Sequence, residues 1–178
     1  MSKPRSGTRQ RIQEVARDLF LQQGVQRTSL QDIADKLGIT KPALYYHFSS
    51  REDLVRSILV PLIDEGEQFI SDQESRDEID ARAVLEGYFD FHYRHRQDLV
   101  LVLAELTMLA DLGLIDKVLA WRDRLGKLVF GPRPTLAQST RAVVAFGGLQ
   151  DCCLQFPDTP YQALRATSVE AALAALGV

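Results

Sequence analysis

The stretch Thr28–Phe48, TSLQDIADKLGITKPALYYHF, limits what this chain can fold into more than any other. Leu30, Ile33, Ala34 and Leu37 recur at helical spacing. Ser29 stands where an N-cap hydroxyl accepts an orphan amide, and Asp32 three positions on completes a capping box. Gly38 ends that helix by taking the left-handed conformation, and Ile39 follows as an apolar plug. Thr40 then caps a second helix, which tolerates Pro42 because the amides of a first turn have no partner. Leu44 and Phe48, four apart, face back to the first helix, so Lys41, Pro42, Tyr45 and Tyr46 point outward. Two short helices joined by so tight a turn read as a helix-turn-helix, a motif whose second helix lies in the major groove of DNA.

The neighbouring residues extend the pattern. Ile12, Ala16, Leu19, Phe20 and Gly24 mark a leading helix, TS-x-x-DIA-x-x-LGI and LYYHF span the motif, and SREDL opens the helix after it. In this series residues 8–56 resemble the DNA-binding domain of the tetracycline-repressor (TetR) family of bacterial transcriptional regulators. The remaining two thirds match that family only in length and helical character. The resemblance implies an all-α fold: a helix-turn-helix DNA-binding domain over residues 1–53 and a helical regulatory and dimerisation domain over 54–178. It also implies a repressor that binds a double-stranded operator as a homodimer, through its last two helices, and is released by a small-molecule effector.

Carried over residue by residue, the resemblance places Lys41 and Pro42 at base edges, where lysine donates to guanine and a proline ring packs on a thymine methyl. Tyr45 is expected at a base or a phosphate, and Gln31 is a further candidate for base contact. Ser29, Thr40, Tyr46 and His47 are expected at phosphates, as is Arg51, where the family commonly has lysine and where the helix dipole adds to the charge. Ala43 offers a methyl where the family often has a hydroxyl, so one phosphate bond is expected to be missing. Packing is the alternative for Tyr45, Tyr46 and His47; Leu44 and Phe48 belong to the core.

Charge agrees with this division of labour. The net charge is −3, yet residues 1–56 hold ten Lys and Arg against six Asp and Glu, a balance of +4 that leaves −7 for the rest. A basic head on an acidic body suits phosphate binding, because the local field governs encounter; ordinary surface variation is the alternative. No apolar run has bilayer length and MSKPRSGTRQR lacks the apolar core of a signal peptide, so a cytoplasmic protein without membrane contact is expected. The adjacent Cys152 and Cys153 are badly placed for a bridge within a helix and supply no disulfide framework. A redox role for them lacks a nearby base or metal partner in sequence.

Along the chain, residues 1–7 read as a loose arm and Thr8 as the cap of the leading helix. Ser50 to Asp53 form another capping box, opening a helix in which Pro61 predicts a kink or break near Val60. A bend there would tilt the head in response to ligand; a harmless kink or a boundary between two helices is the alternative. Ser71 to Asp80 read as a loop and Asp80 to Arg96 as a helix. Gln97 to Ala110 is apolar almost all round, which predicts one buried central helix. Leu114 to Phe130, Thr135 to Phe156 and Tyr161 to Leu176 complete the set, with Pro157 to Pro160 as a turn.

Small residues in the last two helices, among them Ala142, Ala145, Gly147, Gly148, Ala171 and Ala174, permit close helix approach. Half-sites one duplex turn apart, roughly 34–36 Å, call for a twofold dimer. Tyr88, Phe89, His92, Met108, Trp121 and Phe146 are the candidates for a ligand pocket, with core packing as the alternative for each. The sequence has no nucleophile elbow, phosphate-cradling loop, metal-ligand spacing or dinucleotide fingerprint, so no enzyme, cofactor or metal is expected. His92 and His95, with Asp90 and Glu86, would make a base or metal site only with a third ligand that the sequence does not supply. A helical DNA-binding regulator with a ligand-blind body is the remaining alternative.

Overall fold

The computed structural model describes the backbone of residues 5–111 and 113–178; the side chains of residues 5, 6, 103 and 108 lie outside that description. Among the described residues the fold is all-α. In order the helices are α1 (Arg5–Gln23), α2 (Leu30–Leu37), α3 (Lys41–Tyr45), α4 (Arg51–Glu74), α5 (Ala81–Arg94), α6 (Arg96–Ala104), α7 (Leu106–Asp111), α8 (Ile115–Phe130), α9 (Leu136–Gln155) and α10 (Tyr161–Leu176), with a 3-10 turn at Val25–Arg27. By compactness the chain divides into Met1–Leu62 with Gln97–Met108, and Ile63–Arg96 with Leu109–Val178.

In the first unit, Ile12, Ala16 and Phe20 of α1, Ile33 and Ala34 of α2, Leu44 of α3 and Leu54, Val55 and Ile58 of α4 are all essentially out of water, and α2 packs on both α1 and α3. Thr28, 1% exposed, ties the 3-10 turn to α1: its hydroxyl donates to the Gly24 carbonyl at 2.8 Å and accepts from Gln23 Nε2 at 3.2 Å. Gly24 itself sits at φ 86°, a conformation that a side chain would strain. The segment 97–108 is fastened here by Arg17, whose Nε lies 2.6 Å from Asp98 Oδ1.

Four expectations about boundaries are corrected. Thr8 is not a cap, since α1 already begins at Arg5. Residues 71–74 continue α4 and do not join the loop. Pro61 does not break α4, which runs unbroken over 24 residues. Proline removes the N–H that would bond the carbonyl of Ser57, but Gln13 Nε2 on α1 donates to that carbonyl at 3.1 Å and to Ser57 Oγ at 2.9 Å. The fourth correction concerns Gln97 to Ala110, which is two helices interrupted at Glu105. Leu99 and Leu101 are buried, but Val100 is 42% and Leu106 50% exposed, because the neighbours of this segment cover one flank only.

The second unit packs α10 on α9, α8 on α9, and α5 against both α9 and α10. Asp80 caps α5, and Thr135 with Gln138 forms a reciprocal capping box at the start of α9. Gly126 allows α8 to approach α9 closely: a β-carbon there would stand 3.1 Å from that of Ala142. Cys153 is buried on α9, its Sγ 4.0 Å from the Phe89 carbonyl, and burial pushes its thiol up to about 12. Cys152, its neighbour, is half-buried.

Candidate nucleic-acid interface

Local rules hold the helix-turn-helix in shape. Ser29 Oγ accepts from the Asp32 amide at 3.1 Å while Asp32 Oδ2 accepts from the Ser29 amide at 2.8 Å. That backbone bond, with the serine hydroxyl second, holds the Asp32 carboxyl below its usual range. Gly38 closes α2 at φ 66°, ψ 32°, its amide and that of Ile39 returning to Asp35 and Ala34 carbonyls. Thr40 Oγ1 accepts from the Ala43 amide at 3.4 Å, and Pro42 occupies the first turn of α3. Leu44 and Phe48 are fully buried. The guanidinium of Arg9 lies over the Phe48 ring at 4.2 Å and donates to the His47 carbonyl, which fixes the far end of the motif to α1.

This packing leaves the outer face of α3 in water. Lys41, Pro42 and Ala43 are exposed, as are Tyr45 at 46% and Tyr46 at 67%. Lys41 Nζ stands 5.8 Å from the centre of the Tyr45 ring, and the half-buried His47 meets Tyr46 edge to face. A groove beside α3 brings together Ser29, Gln31, Lys41, Tyr45 and Arg51 of the expected contact residues. Thr40, Pro42, Ala43, Tyr46 and His47 are not part of its lining. It adds Thr28, Leu30, Ser49, Ser50 and Glu52, which sequence reasoning passed over.

Ser49 and Ser50 carried a legible signal, two hydroxyls just before a helix start. Ser50 Oγ accepts from the Asp53 amide at 3.1 Å, but Asp53 Oδ2 reaches back to the amide of Ser49 at 2.9 Å, so the expected capping box is displaced by one residue. Gln31 Nε2 is engaged by Asp35 at 2.7 Å. Arg51 is engaged too. Its Nη1 donates to the Gln26 carbonyl at 3.1 Å and its Nη2 to Gln26 Oε1 at 2.9 Å. A groove of hydroxyls, a lysine, an arginine and the start of a long helix is suited to phosphate oxygens, and an exposed lysine and tyrosine beside it to base edges.

In the body, the expected pocket residues fall into three groups. Tyr88 touches both His92 and Phe146, with ring centres 4.0 Å apart for Tyr88 and His92 and 5.2 Å for Tyr88 and Phe146. Phe89 instead stacks on Tyr93 and leans on Tyr161. Trp121 is reached through Phe91 and donates from Nε1 to Glu67 at 3.0 Å. The side chain of Met108 lies outside the described residues. Burial pushes Tyr88 up to about 12 and His92 down to about 4; the His92 ring is therefore neutral, and its Nδ1–H donates to the Tyr88 carbonyl at 2.8 Å. A separate open groove is lined by Asp90, Tyr93, Arg94, Arg96 and Tyr161. Its acid is already engaged, since Asp90 accepts from Tyr161 and Arg165. No group of three or more His, Cys, Asp or Glu among the described residues is placed to hold a metal, and none of their helices is long and apolar enough to cross a membrane.

The head is thus a braced helix-turn-helix of the kind that bacterial regulators present to DNA. Residues 12–58 match the model of the bacterial regulatory proteins of the tetR family. The regulator TtgR of Pseudomonas putida is 40% identical over 73 residues, 41% of this chain and 35% of TtgR. The repressor KstR2 of Mycolicibacterium smegmatis is 30% identical over 114 residues, 62% of this chain and 55% of that protein. The matches therefore span well under two thirds of those relatives. The structure of AmtR from Mycobacterium smegmatis superposes with a TM-score of 0.78 at 20% identity, covering 99% of this chain and 89% of AmtR. The ketosteroid transcriptional regulator KstR2 of Mycobacterium tuberculosis superposes with a TM-score of 0.74 at 20% identity, covering 96% and 93%. At such identity the likeness speaks for the fold.

Proposed function

We propose that this chain is a tetR-type transcriptional repressor that binds operator DNA as a homodimer and is released by a small molecule. The observation that carries the reading is the exposed face of α3 within the matched segment: Lys41, Tyr45 and Tyr46 stand in water on a helix whose other side is fully buried. In this reading Lys41 and Pro42 touch base edges, Tyr45 and Gln31 assist, Ser29, Thr40, Tyr46 and His47 hold phosphates, and Arg51 lies at the same groove with its donors turned inward. Ala43 contributes a methyl. The dimer forms through α9 and α10, where Val143 is 52% and Val144 58% exposed and Ala171 and Ala174 also face water.

A labelled fragment from upstream of the gene, titrated with purified protein, tests this. Retardation that weakens steeply with salt, by a species of dimer mass, is the expected result; absence of any binding at low salt overturns it. Lys41→Ala should reduce specific binding more than non-specific binding.

A second reading, a regulator with no ligand response, is favoured by the close packing of Tyr88, His92 and Phe146, each at most 2% exposed. A thermal-shift screen against apolar metabolites and drugs separates the two. A ligand that stabilises the protein and weakens its hold on DNA supports the sensor.

A further inference from the structure

The guanidinium of Arg51 is engaged from inside the protein. Nη1 donates to the carbonyls of Gln26, at 3.1 Å, and Val25, at 3.4 Å; Nη2 donates to Gln26 Oε1, at 2.9 Å, and Glu52 Oε1, at 3.3 Å. Each terminal nitrogen carries two N–H groups, so each has as many acceptors as it has donors. Gln26 is held in its turn. Its Nε2 lies 3.3 Å from Glu105 Oε1 and 3.5 Å from Oε2, and Glu105, at the interruption between α6 and α7, is only 7% exposed. The same segment is pinned a second time by the 2.6 Å contact between Asp98 and Arg17. Glu105 is thus a fixed acceptor on a fastened backbone, 79 residues away in sequence from the side chain it holds.

We propose that Glu105 and Gln26 are positioning residues for Arg51: together they keep its donors on the turn between α1 and α2 and off the phosphates of a bound duplex. The proposal rests on the DNA-binding reading of residues 12–58. An amide has one oxygen and one nitrogen end. With the nitrogen end on Glu105, the oxygen end is turned to Arg51 and cannot rotate away. Glu52 is the weaker of the two side-chain acceptors, 61% exposed and the longer contact, and a phosphate oxygen can replace it. Gln26 is the one that must be released. Without Glu105 its side chain regains its rotamers, holding Arg51 costs conformational entropy, and the guanidinium becomes free to reach a phosphate.

The test uses the full chain and a fluorescein-labelled duplex of arbitrary sequence, about 30 bp, followed by anisotropy as salt rises. Glu105→Ala and Gln26→Ala should bind several-fold tighter at about 0.1 M salt, with a log–log salt slope steeper by about 0.9, the release of one more counterion. Glu105→Gln, which keeps an acceptor oxygen for Gln26, should retain the parent slope and guards against misfolding of the alanine variant. In an Arg51→Ala background Glu105→Ala should change nothing. Equal slopes for the parent and Glu105→Ala, or equal effects with and without Arg51, overturn the proposal while leaving DNA binding intact. Arg51→Ala alone should keep the parent slope, and a flatter slope for that variant overturns the proposal as well. Failure of the parent chain to bind any duplex at low salt removes the DNA-binding reading itself.

Discussion

Gln13 donates a hydrogen bond to the carbonyl of Ser57 that Pro61 leaves without a helical partner. The helix α4 runs unbroken through its proline, and a neighbouring helix supplies the missing donor. Gln13→Ala should therefore cost about 1 kcal/mol, the penalty of an unsatisfied, half-buried carbonyl. In a Pro61→Ala background, where residue 61 has its own N–H, the same change should cost little. Urea denaturation of the four proteins in this cycle measures the coupling, and additive costs would show that the amide is incidental.

Gly66 has no room for a side chain, since a methyl group there would overlap the indole of Trp121. Alanine gains helix propensity, about 1 kcal/mol, but forces the indole away from α4 and strains its bond to Glu67. Gly66→Ala should lose about 1–3 kcal/mol net, the cost of overpacking. Trp121 is the chain's one tryptophan, so its emission reports the displacement directly. A red shift is expected, and an unchanged spectrum with unchanged stability would contradict the contact.

His92 makes stability depend on pH. Burial lowers its folded value to about 4, below the ordinary 6.5, so the unfolded chain takes up the proton first as pH falls. The contribution is complete above pH 6.5 and is lost progressively down to about pH 4, at most on the order of 3 kcal/mol. Glutamine at position 92 can donate to the Tyr88 carbonyl but does not titrate. The stability difference between the parent and His92→Gln should therefore shrink between pH 6.5 and 4.5; a constant difference would mean that the ring is not sequestered.

Ser29 and Asp32 cap α2 reciprocally, yet only Ser29 lies in the groove. Ser29→Ala should cost about 1 kcal/mol of stability, and Asp32→Ala should also lower the melting temperature. A loss of DNA affinity beyond that stability effect is expected for Ser29→Ala alone. Equal losses for both variants would assign Ser29 to the cap and to nothing else.

What could be read from the sequence was what neighbouring residues decide. The caps at Ser29 and Thr40, the left-handed Gly38 and the inward Leu44 and Phe48 are all settled within a few positions, and the structure has them as expected. The misreadings share the opposite property. Pro61 is rescued by a side chain 44 residues from the carbonyl it serves, and the segment 97–110 is divided at a glutamate held by Gln26, 79 residues away. Such partners are invisible to periodicity. The same holds for the interface. Exposure of Tyr45 and Tyr46 followed from spacing, whereas the acceptors around Arg51 come from the turn at Val25–Arg27, whose sequence carries no mark of them.

The unequal burial of the paired cysteines has a practical use. A thiol reagent meets the native protein at the half-buried Cys152, while Cys153, fully covered and resistant to ionisation, waits for the surrounding helices to part. The first equivalent of label therefore marks a defined attachment point on α9, and the arrival of a second counts each opening of the body.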